Sequence, residues 1–297
     1  MPGRSKFKRF LEKSNRGRYA GVARLVLRAF PSALIPVRLP FGAWWLAGHG
    51  VLDDHVLGGD FESAELRFAE RYLQPGMTVL DIGAHHGLYS VLAARRVGAN
   101  GIVRSFEPSP RERRFLQRNL EINRFRNVRV EPFALGSEAG SAELHVVTDG
   151  EDGCNSLRAP VGVKTQKVAV AVKVLDEYLR ESGLEGADFI KLDVEGAELG
   201  VLRGAKSLLS SARRPVILAE VQDVRTKPWG YPAAEIIRLL ESQGYQWHDI
   251  MEDGSLKPLD TTASEYDGNF VAWPEERKKG TDLFQETIAN LDQVQRP

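Results

Sequence analysis

Val79-Leu80-Asp81-Ile82-Gly83-Ala84-His85-His86-Gly87 reads as an apolar strand ending in an acid, a loop with glycines four apart, and the start of a helix. A backbone that must turn sharply and let a ligand lie against it needs residues without a Cβ. In open α/β sheets, such strand-to-helix turns are where ligands bind. The dinucleotide fingerprint G-x-G-x-x-G sets a third glycine against the helix to admit a pyrophosphate. Here the pattern is D-x-G-x-x-x-G, so a nicotinamide cofactor is disfavoured.

S-adenosylmethionine has no phosphate; it presents a methionine zwitterion, a ribose diol and an adenine, and an acid ahead of the loop suits its ammonium. The next segment supports that ligand. Ile102-Val103-Arg104-Ser105-Phe106 reads as a second strand ending in Glu107-Pro108. An acid at that strand tip, roughly 20 residues past the glycine loop, is where a carboxylate can accept both ribose hydroxyls. Glu107 is the expected ribose ligand, against the plainer alternative of a surface glutamate before a turn proline.

Outward from this core the chain alternates. Ser63 to Leu73 reads as a helix whose Leu66, Phe68, Ala69 and Leu73 face the core, stopped by Pro75-Gly76. Strand 78–82, helix 88–97, strand 102–106, helix 110–123 and strand 127–131 follow, a βαβαβ half of a doubly wound sheet. Residues 136–174 interrupt it with a β insertion, including 142–147 and 167–172. Between those two runs lies the small, polar loop Asp152-Gly153-Cys154-Asn155-Ser156, which can reach over a sheet edge or simply make a turn. Alternation resumes with helix 174–181, strand 188–192, helix 197–209, strand 215–221, helix 232–243, strand 245–249 and a last strand near 269–273. Residues 31–60, with Trp44-Trp45 and Gly58-Gly59, read as an irregular preface with short strands. The expected domains are a basic N-terminal extension (1–60), an α/β domain (61–274) and a charged tail (275–297).

The second chemical cluster is Phe189-Ile190-Lys191-Leu192-Asp193-Val194-Glu195-Gly196-Ala197-Glu198, a buried strand that discharges three carboxylates at its C-terminal end. That end of an open sheet is the binding crevice, which places Asp193 beside Gly83. Glu198 is read as favouring the macrodipole of the following helix.

Composition bounds the rest. The chain has 297 residues, 42% hydrophobic and 27% charged, enough to bury a full α/β core. Forty basic and forty acidic side chains cancel, which offers no general attraction to nucleic acid. The sole cysteine, Cys154, rules out an internal disulfide framework and fits a reducing, cytoplasmic compartment. The start is uneven: Arg4, Lys6, Lys8, Arg9, Lys13, Arg16, Arg18, Arg24 and Arg28 face only Glu12. Val22, Leu25, Val26, Leu27, Ala29 and Phe30 can form an amphipathic helix among them, open to peripheral membrane contact but read first as a helix packed on the domain edge. It is too short and charged to span a membrane or serve as a secretory signal. Nothing in the sequence sets the oligomeric state.

Taken in order, these strings resemble the FkbM-type S-adenosylmethionine-dependent methyltransferases from about Val51 to Ala272. The strings that carry the resemblance are Leu80-Asp81-Ile82-Gly83-Ala84 with Gly87-Leu88-Tyr89-Ser90, Phe106-Glu107-Pro108-Ser109-Pro110, Asn119 and Asn123 before Asn127-Val128, Ala134-Leu135-Gly136 with Gly140, Ile190 to Glu198, and Leu218-Ala219-Glu220. One departure is His85, where the family commonly has Asn. The resemblance implies a class I methyltransferase sheet, doubly wound, seven-stranded and mostly parallel with an antiparallel last strand. It also implies methylation of a hydroxyl oxygen on a sugar, glycan or secondary metabolite. By the same resemblance Asp81, Gly83 and Gly87 hold the methionine end of the cofactor, Glu107 the ribose, and the Ala134 region the adenine. Ala84, His85, Tyr89 and Pro108 complete the cofactor set, and Asp193 lies closest to the methyl group.

The expected mechanism is in-line displacement at the methyl carbon, with Asp193 and Glu195 as candidate bases because a carboxylate in a water-poor crevice has its pKa raised. His85, His86, His49 and His55 are reserves. A divalent cation between Asp193 and Glu220 is weighed and left out, because no third ligand is evident at Glu220-Val221-Gln222. Amino-group methyltransferases of the nucleic-acid type are disfavoured, since Asp193-Val194-Glu195-Gly196 stands where they carry an Asn- or Asp-Pro-Pro-aromatic turn. A non-catalytic binding module on the same sheet is the remaining competitor. Trp44, Trp45, Trp229, Tyr231 and Trp273 offer flat faces to an acceptor but are read first as packing residues.

Overall fold

The computed structural model describes residues 21–23, 25–30, 33–48, 51–59, 61–148, 154–160, 162–277, 281 and 284. A short hairpin comes first, β1 (Ile35–Arg38) with β2 (Trp44–Ala47), followed by helices α1 (Val51–Gly58) and α2 (Ser63–Tyr72). The central sheet is then built by β3 (Thr78–Ile82), α3 (Leu88–Val97), β4 (Ile102–Phe106), α4 (Pro110–Ile122) and β5 (Val128–Glu131). The insertion follows as β6 (Ala134–Gly136), β7 (Gly140–Val147) and β8 (Thr165–Val174). The second half comprises α5 (Leu175–Ser182), β9 (Phe189–Leu192), α6 (Glu198–Arg203), α7 (Lys206–Leu209), β10 (Val216–Gln222), α8 (Asp223–Thr226), α9 (Ala234–Ser242), β11 (Tyr245–Ile250), β12 (Leu256–Pro258) and β13 (Asp267–Pro274).

The main sheet runs β12-β11-β13-β10-β9-β3-β4-β5. It is the doubly wound, mostly parallel sheet expected of a class I methyltransferase, with β13 inserted antiparallel between β10 and β11. It has eight strands rather than seven, because the short β12 adds antiparallel to the β11 edge. Strand order reverses between β3 and β9, which opens the crevice beyond their C-terminal ends. The insertion forms its own three-stranded sheet, β6-β8-β7.

Because side chains alternate across a strand, the sheet divides two cores. Leu80, Ile82, Ile190, Leu192, Ile217 and Ala219 face α5, α6, α7 and α9. Val79, Phe189, Val216, Leu218 and Val271 face α2, α3, α4 and the hairpin, whose Val37 and fully buried Trp45 join that second core. Trp273 is also buried, while Trp44 is exposed. Two elements differ from expectation. Residues 51–58 are helical, not irregular. The helix expected over 197–209 breaks at Gly204, where a Cβ would lie 2.3 Å from the Gly136 carbonyl oxygen; the close approach of β6 leaves no room for a side chain.

Near the N-terminus, residues 21–23 and 25–29 are helical, with Ala23 and Leu27 buried and Val22, Leu25, Val26 and Phe30 exposed. The basic residues Arg4 to Arg18 and Arg24 lie outside the described residues, as do His49, Asp152, Gly153 and most of the C-terminal tail. No helix among the described residues is long and apolar enough to cross a membrane.

Candidate active site

The glycine loop after β3 and the acidic loop after β9 press against each other. A Cβ on Gly83, at φ +86°, would lie 1.7 Å from the Asp193 carbonyl oxygen. The Asp193 N–H donates to the Ile82 carbonyl at 3.0 Å, extending the β3–β9 ladder into the two loops. Glycine at 83 is therefore required by close approach as well as by its left-handed backbone. Around this junction a cavity of about 380 Å³ opens, within the usual ~300–1,000 Å³ of small-molecule sites.

Of the residues expected at the site, Gly83, His85, Glu107, Pro108, Ala134, Asp193 and Glu195 line this cavity. Ala84 is buried in the loop behind them. Glu107 is 5% exposed. Its Oε2 accepts the His85 N–H at 2.8 Å and its Oε1 accepts the Ser109 N–H at 2.7 Å. These bonds lock the carboxylate at the mouth of β4, while burial pushes its pKa up to about 8. His85 has φ +49° and its ring stacks on His86 at 4.0 Å. His86 turns to Phe115, 4.6 Å between centroids, and burial drives its pKa down to about 2, so its ring is neutral. Of the reserve histidines, His55 also lines the cavity.

Asp81, Gly87 and Tyr89 stand apart from the lining. The Asp81 carboxylate is 1% exposed and accepts a hydrogen bond from the Ser90 hydroxyl of α3. Ser90 in turn lies 2.6 Å from the hydroxyl of Ser105, the register partner of Asp81 on β4. Burial raises the Asp81 pKa to about 6. Gly87 gives α3 its left-handed N-cap, φ +89°. The Tyr89 hydroxyl donates to Glu62, a cavity residue that precedes α2.

The period of two also explains a feature that sequence reasoning left without a role. Lys191 sits opposite Asp81 in the β3–β9 register, on the same sheet face, and is 2% exposed. Its Nζ donates to Asp193 Oδ2 at 3.0 Å and to Asn269 Oδ1 at 3.2 Å, and lies 5.3 Å above the Tyr89 ring. Burial alone would lower its pKa, but Asp193, Glu62 and Glu220 outweigh it and hold the ammonium charged. A lysine inside the otherwise apolar strand Phe-Ile-Lys-Leu was the available signal, since buried cations require partners.

Glu195 has φ +56° and its Oε2 pairs with Arg225 Nε at 3.0 Å. Its backbone carbonyl accepts from Ser156 Oγ at 3.0 Å and Trp229 Nε1 at 3.2 Å. Trp229 and Tyr231, whose hydroxyl donates to the Gly196 carbonyl at 2.7 Å, thus hold this loop in place. Burial, then the Asp193 charge, raises the Glu195 pKa to about 8. Glu198 accepts the Val194 and Gly196 N–H groups at 3.0 and 3.2 Å, ties the loop to α6, and has its pKa raised by burial to about 7. Glu220, at the end of β10, also lines the cavity, and burial raises its pKa. Carboxylate oxygens of Asp193, Glu195 and Glu220 lie within 4.8 Å of one another.

The insertion supplies another wall through Leu144, Cys154, Asn155 and Leu157, beside Phe133 and Ala134. Three residues of this lining carry a buried side-chain atom with no hydrogen bond among the described residues: Asn155 Nδ2, Glu220 Oε2 and Arg225 Nε, the last of which is ion-paired with Glu195.

Comparison with known proteins is consistent with this arrangement. Methyltransferase 1 of Beauveria bassiana is 30% identical over 143 residues, which cover 42% of this chain and 57% of that protein. The 2-O-methyltransferase NoeI of Sinorhizobium fredii is 29% identical over 186 residues, 57% of this chain and 73% of NoeI. A solved methyltransferase FkbM of Methylobacillus flagellatus aligns over 75% of this chain and 52% of its own, at 16% identity and a TM-score of 0.45. The chain thus spans little more than half the length of the first of these relatives and of the solved structure. The matched family segment begins at Asp81, in the strand that carries the glycine loop, and continues through both acidic strand tips into β11. Since residues 81–247 match the methyltransferase FkbM domain, more than half of the 297 residues, the chain belongs to that family.

Proposed function

We propose that this chain transfers a methyl group from S-adenosylmethionine to a hydroxyl oxygen of a sugar, glycan or secondary metabolite. The observation that carries the reading is the convergence of the Gly83 loop, the Glu107 carboxylate and the Asp193 carboxylate on one cavity. The fit is chemical as well as steric. Gly83 leaves the backbone bare where a side chain would block the junction, and Glu107 keeps lone pairs for a diol after accepting two N–H groups. Phe133, Ala134 and Leu144 offer apolar surface to a purine. The name of NoeI, a 2-O-methyltransferase, supports oxygen as the acceptor atom.

When bound, the donor supplies a sulfonium leaving group, so most of the protein's contribution is alignment, for which about 7–11 kcal/mol is accessible. The side chains here do the remainder. Asp193, tethered to Lys191, is aimed at the cavity and can hold the acceptor hydroxyl. Glu195, with a pKa raised by burial to about 8, is matched to receive the proton near neutral pH. Calorimetric titration of the full chain with S-adenosylmethionine, followed by measurement of S-adenosylhomocysteine release in the presence of candidate glycans, tests the reading. Binding followed by acceptor-dependent release supports it; the absence of heat removes the cofactor, and binding without release leaves a non-catalytic module. Mass spectrometry of small molecules and glycans from cells with and without the protein identifies the acceptor by the loss of one methyl group.

A further inference from the structure

We propose that the helical residues 21–23 and 25–29, with the basic stretch ahead of them, form a docking surface for an anionic phospholipid bilayer. Packing on the domain edge takes up only part of this helix. Ala23 and Leu27 are buried, while Val22, Leu25, Val26 and Phe30 are 60%, 68%, 37% and 65% exposed. The described residues expose eight large hydrophobic side chains, and these four make up half of them within nine positions. Single exposed apolar residues need no explanation, whereas a cluster marks an interaction face.

The helical period gathers the cluster on one side. At about 100° per residue, Leu25, Ala29, Val22 and Val26 fall within an arc of about 100°, and all four are exposed. Phe30, whose N–H donates to the Val26 carbonyl at 2.8 Å, continues that arc past the last turn. Exposed Arg28 borders it, about 60° from Leu25, where a long cationic side chain can lay its stem along lipid and reach a headgroup.

Charge identifies the occupant. Residues 1–30 hold nine cations and one acid, a net charge of +8, in a chain that is neutral overall, so residues 31–297 carry −8. A second copy seated face to face would bring the two basic stretches together, at a cost in repulsion. Nucleic acid would use the charge but offers nothing to a row of aliphatic side chains. An anionic bilayer satisfies both, because the apolar arc enters the boundary between headgroups and acyl chains while the cations stay with the headgroups. The acidic remainder of the chain is repelled by the same surface, which turns the basic end toward it. The helix lies on the bilayer, since no helix among the described residues is long and apolar enough to cross one.

The test is co-sedimentation of the full-length chain with vesicles of phosphatidylserine and phosphatidylcholine in equal parts, against vesicles of phosphatidylcholine alone. Binding is expected to the first only, and it should weaken as salt rises. Arg16→Ala combined with Arg18→Ala should reduce it at least about tenfold, since each basic residue near such a surface contributes roughly fivefold. Leu25→Ser combined with Phe30→Ser should also reduce it at least about tenfold, through lost apolar insertion. Near-ultraviolet circular dichroism establishes that each variant is folded; if one pair is not, the other decides. No binding to the anionic vesicles, equal binding to both kinds, or a smaller loss in the folded variants overturns the surface. So does a dimer in sedimentation velocity that Leu25→Ser with Phe30→Ser abolishes, which gives the face to a second copy. Tighter binding of a DNA duplex than of vesicles, unaffected by that pair, gives it to nucleic acid and overturns it too. Neither methyl donor nor acceptor takes part, so this result and that of the methyl-transfer reading stand or fall separately.

Discussion

Replacing Gly83 with alanine probes the junction on which the cavity depends. The new Cβ would lie 1.7 Å from the Asp193 carbonyl oxygen and 2.8 Å from its carbonyl carbon. Both are backbone atoms, so no rotamer change relieves the clash. The left-handed conformation of residue 83 adds roughly 1–2 kcal/mol for any Cβ-bearing residue, and overpacking at a closed site typically adds about 1–3 kcal/mol. Gly183, which caps α5 at φ +67°, has nothing within 4 Å of its Cβ position. Gly183→Ala therefore carries only the conformational term, about 1–2 kcal/mol, and isolates it. In urea denaturation Gly83→Ala should lose about 2–5 kcal/mol in total. Separating the β3 and β9 loops should also weaken S-adenosylmethionine binding by about tenfold or more, equivalent to ~1.4 kcal/mol, while Gly183→Ala binds normally. If Gly83→Ala is no less stable than Gly183→Ala and binds the donor with unchanged affinity, the argument that loop contact shapes the site is wrong.

Glu107→Gln should flatten the pH dependence of stability. Burial raises the Glu107 pKa from 4.5 to about 8, so between these values the folded chain holds a proton that the unfolded chain has released. Stability from this group is complete below about pH 4.5 and is lost as pH rises through about 8, at up to ~1.4 kcal/mol per pH unit. Denaturation midpoints compared from pH 5 to 8 should decline less steeply in the variant, and parallel slopes would refute the assignment. Asp193→Asn should cut S-adenosylhomocysteine release by about 10²–10⁴-fold with the near-ultraviolet spectrum preserved; near-normal turnover removes Asp193 from the chemistry. Ser90→Ala strips the hydroxyl that donates to the buried Asp81 carboxylate and should cost about 1–3 kcal/mol, whereas an unchanged unfolding midpoint would show that another group satisfies Asp81.

Much of the fold was legible along the chain because its signals are local. The strand 78–82 and the helix that Pro110 opens are fixed by apolar period and by turn residues, and they appear within a residue or so of the reading. The glycine loop announced a close approach, and the alternation of strands and helices implied the doubly wound sheet. The helix over 51–58 and the break at Gly204 were not legible, since one is stabilised by packing and the other by the Gly136 carbonyl of β6.

For the site, sequence determined which acids end which strands; it could not determine which way each carboxylate turns. Asp81 and Glu107 both follow apolar strand residues, yet Asp81 is drawn back to Ser90 of α3 while Glu107 faces the cavity. Lys191 gains its meaning only from the register that sets it opposite Asp81 and from the loop that returns Asp193 to its ammonium. The nearness of Glu195 to Glu220 likewise exists only once β9 and β10 are paired. Periodicity and turn chemistry are written in neighbouring residues, whereas a site assembled from strands distant in sequence depends on strand order and register, which long-range packing selects.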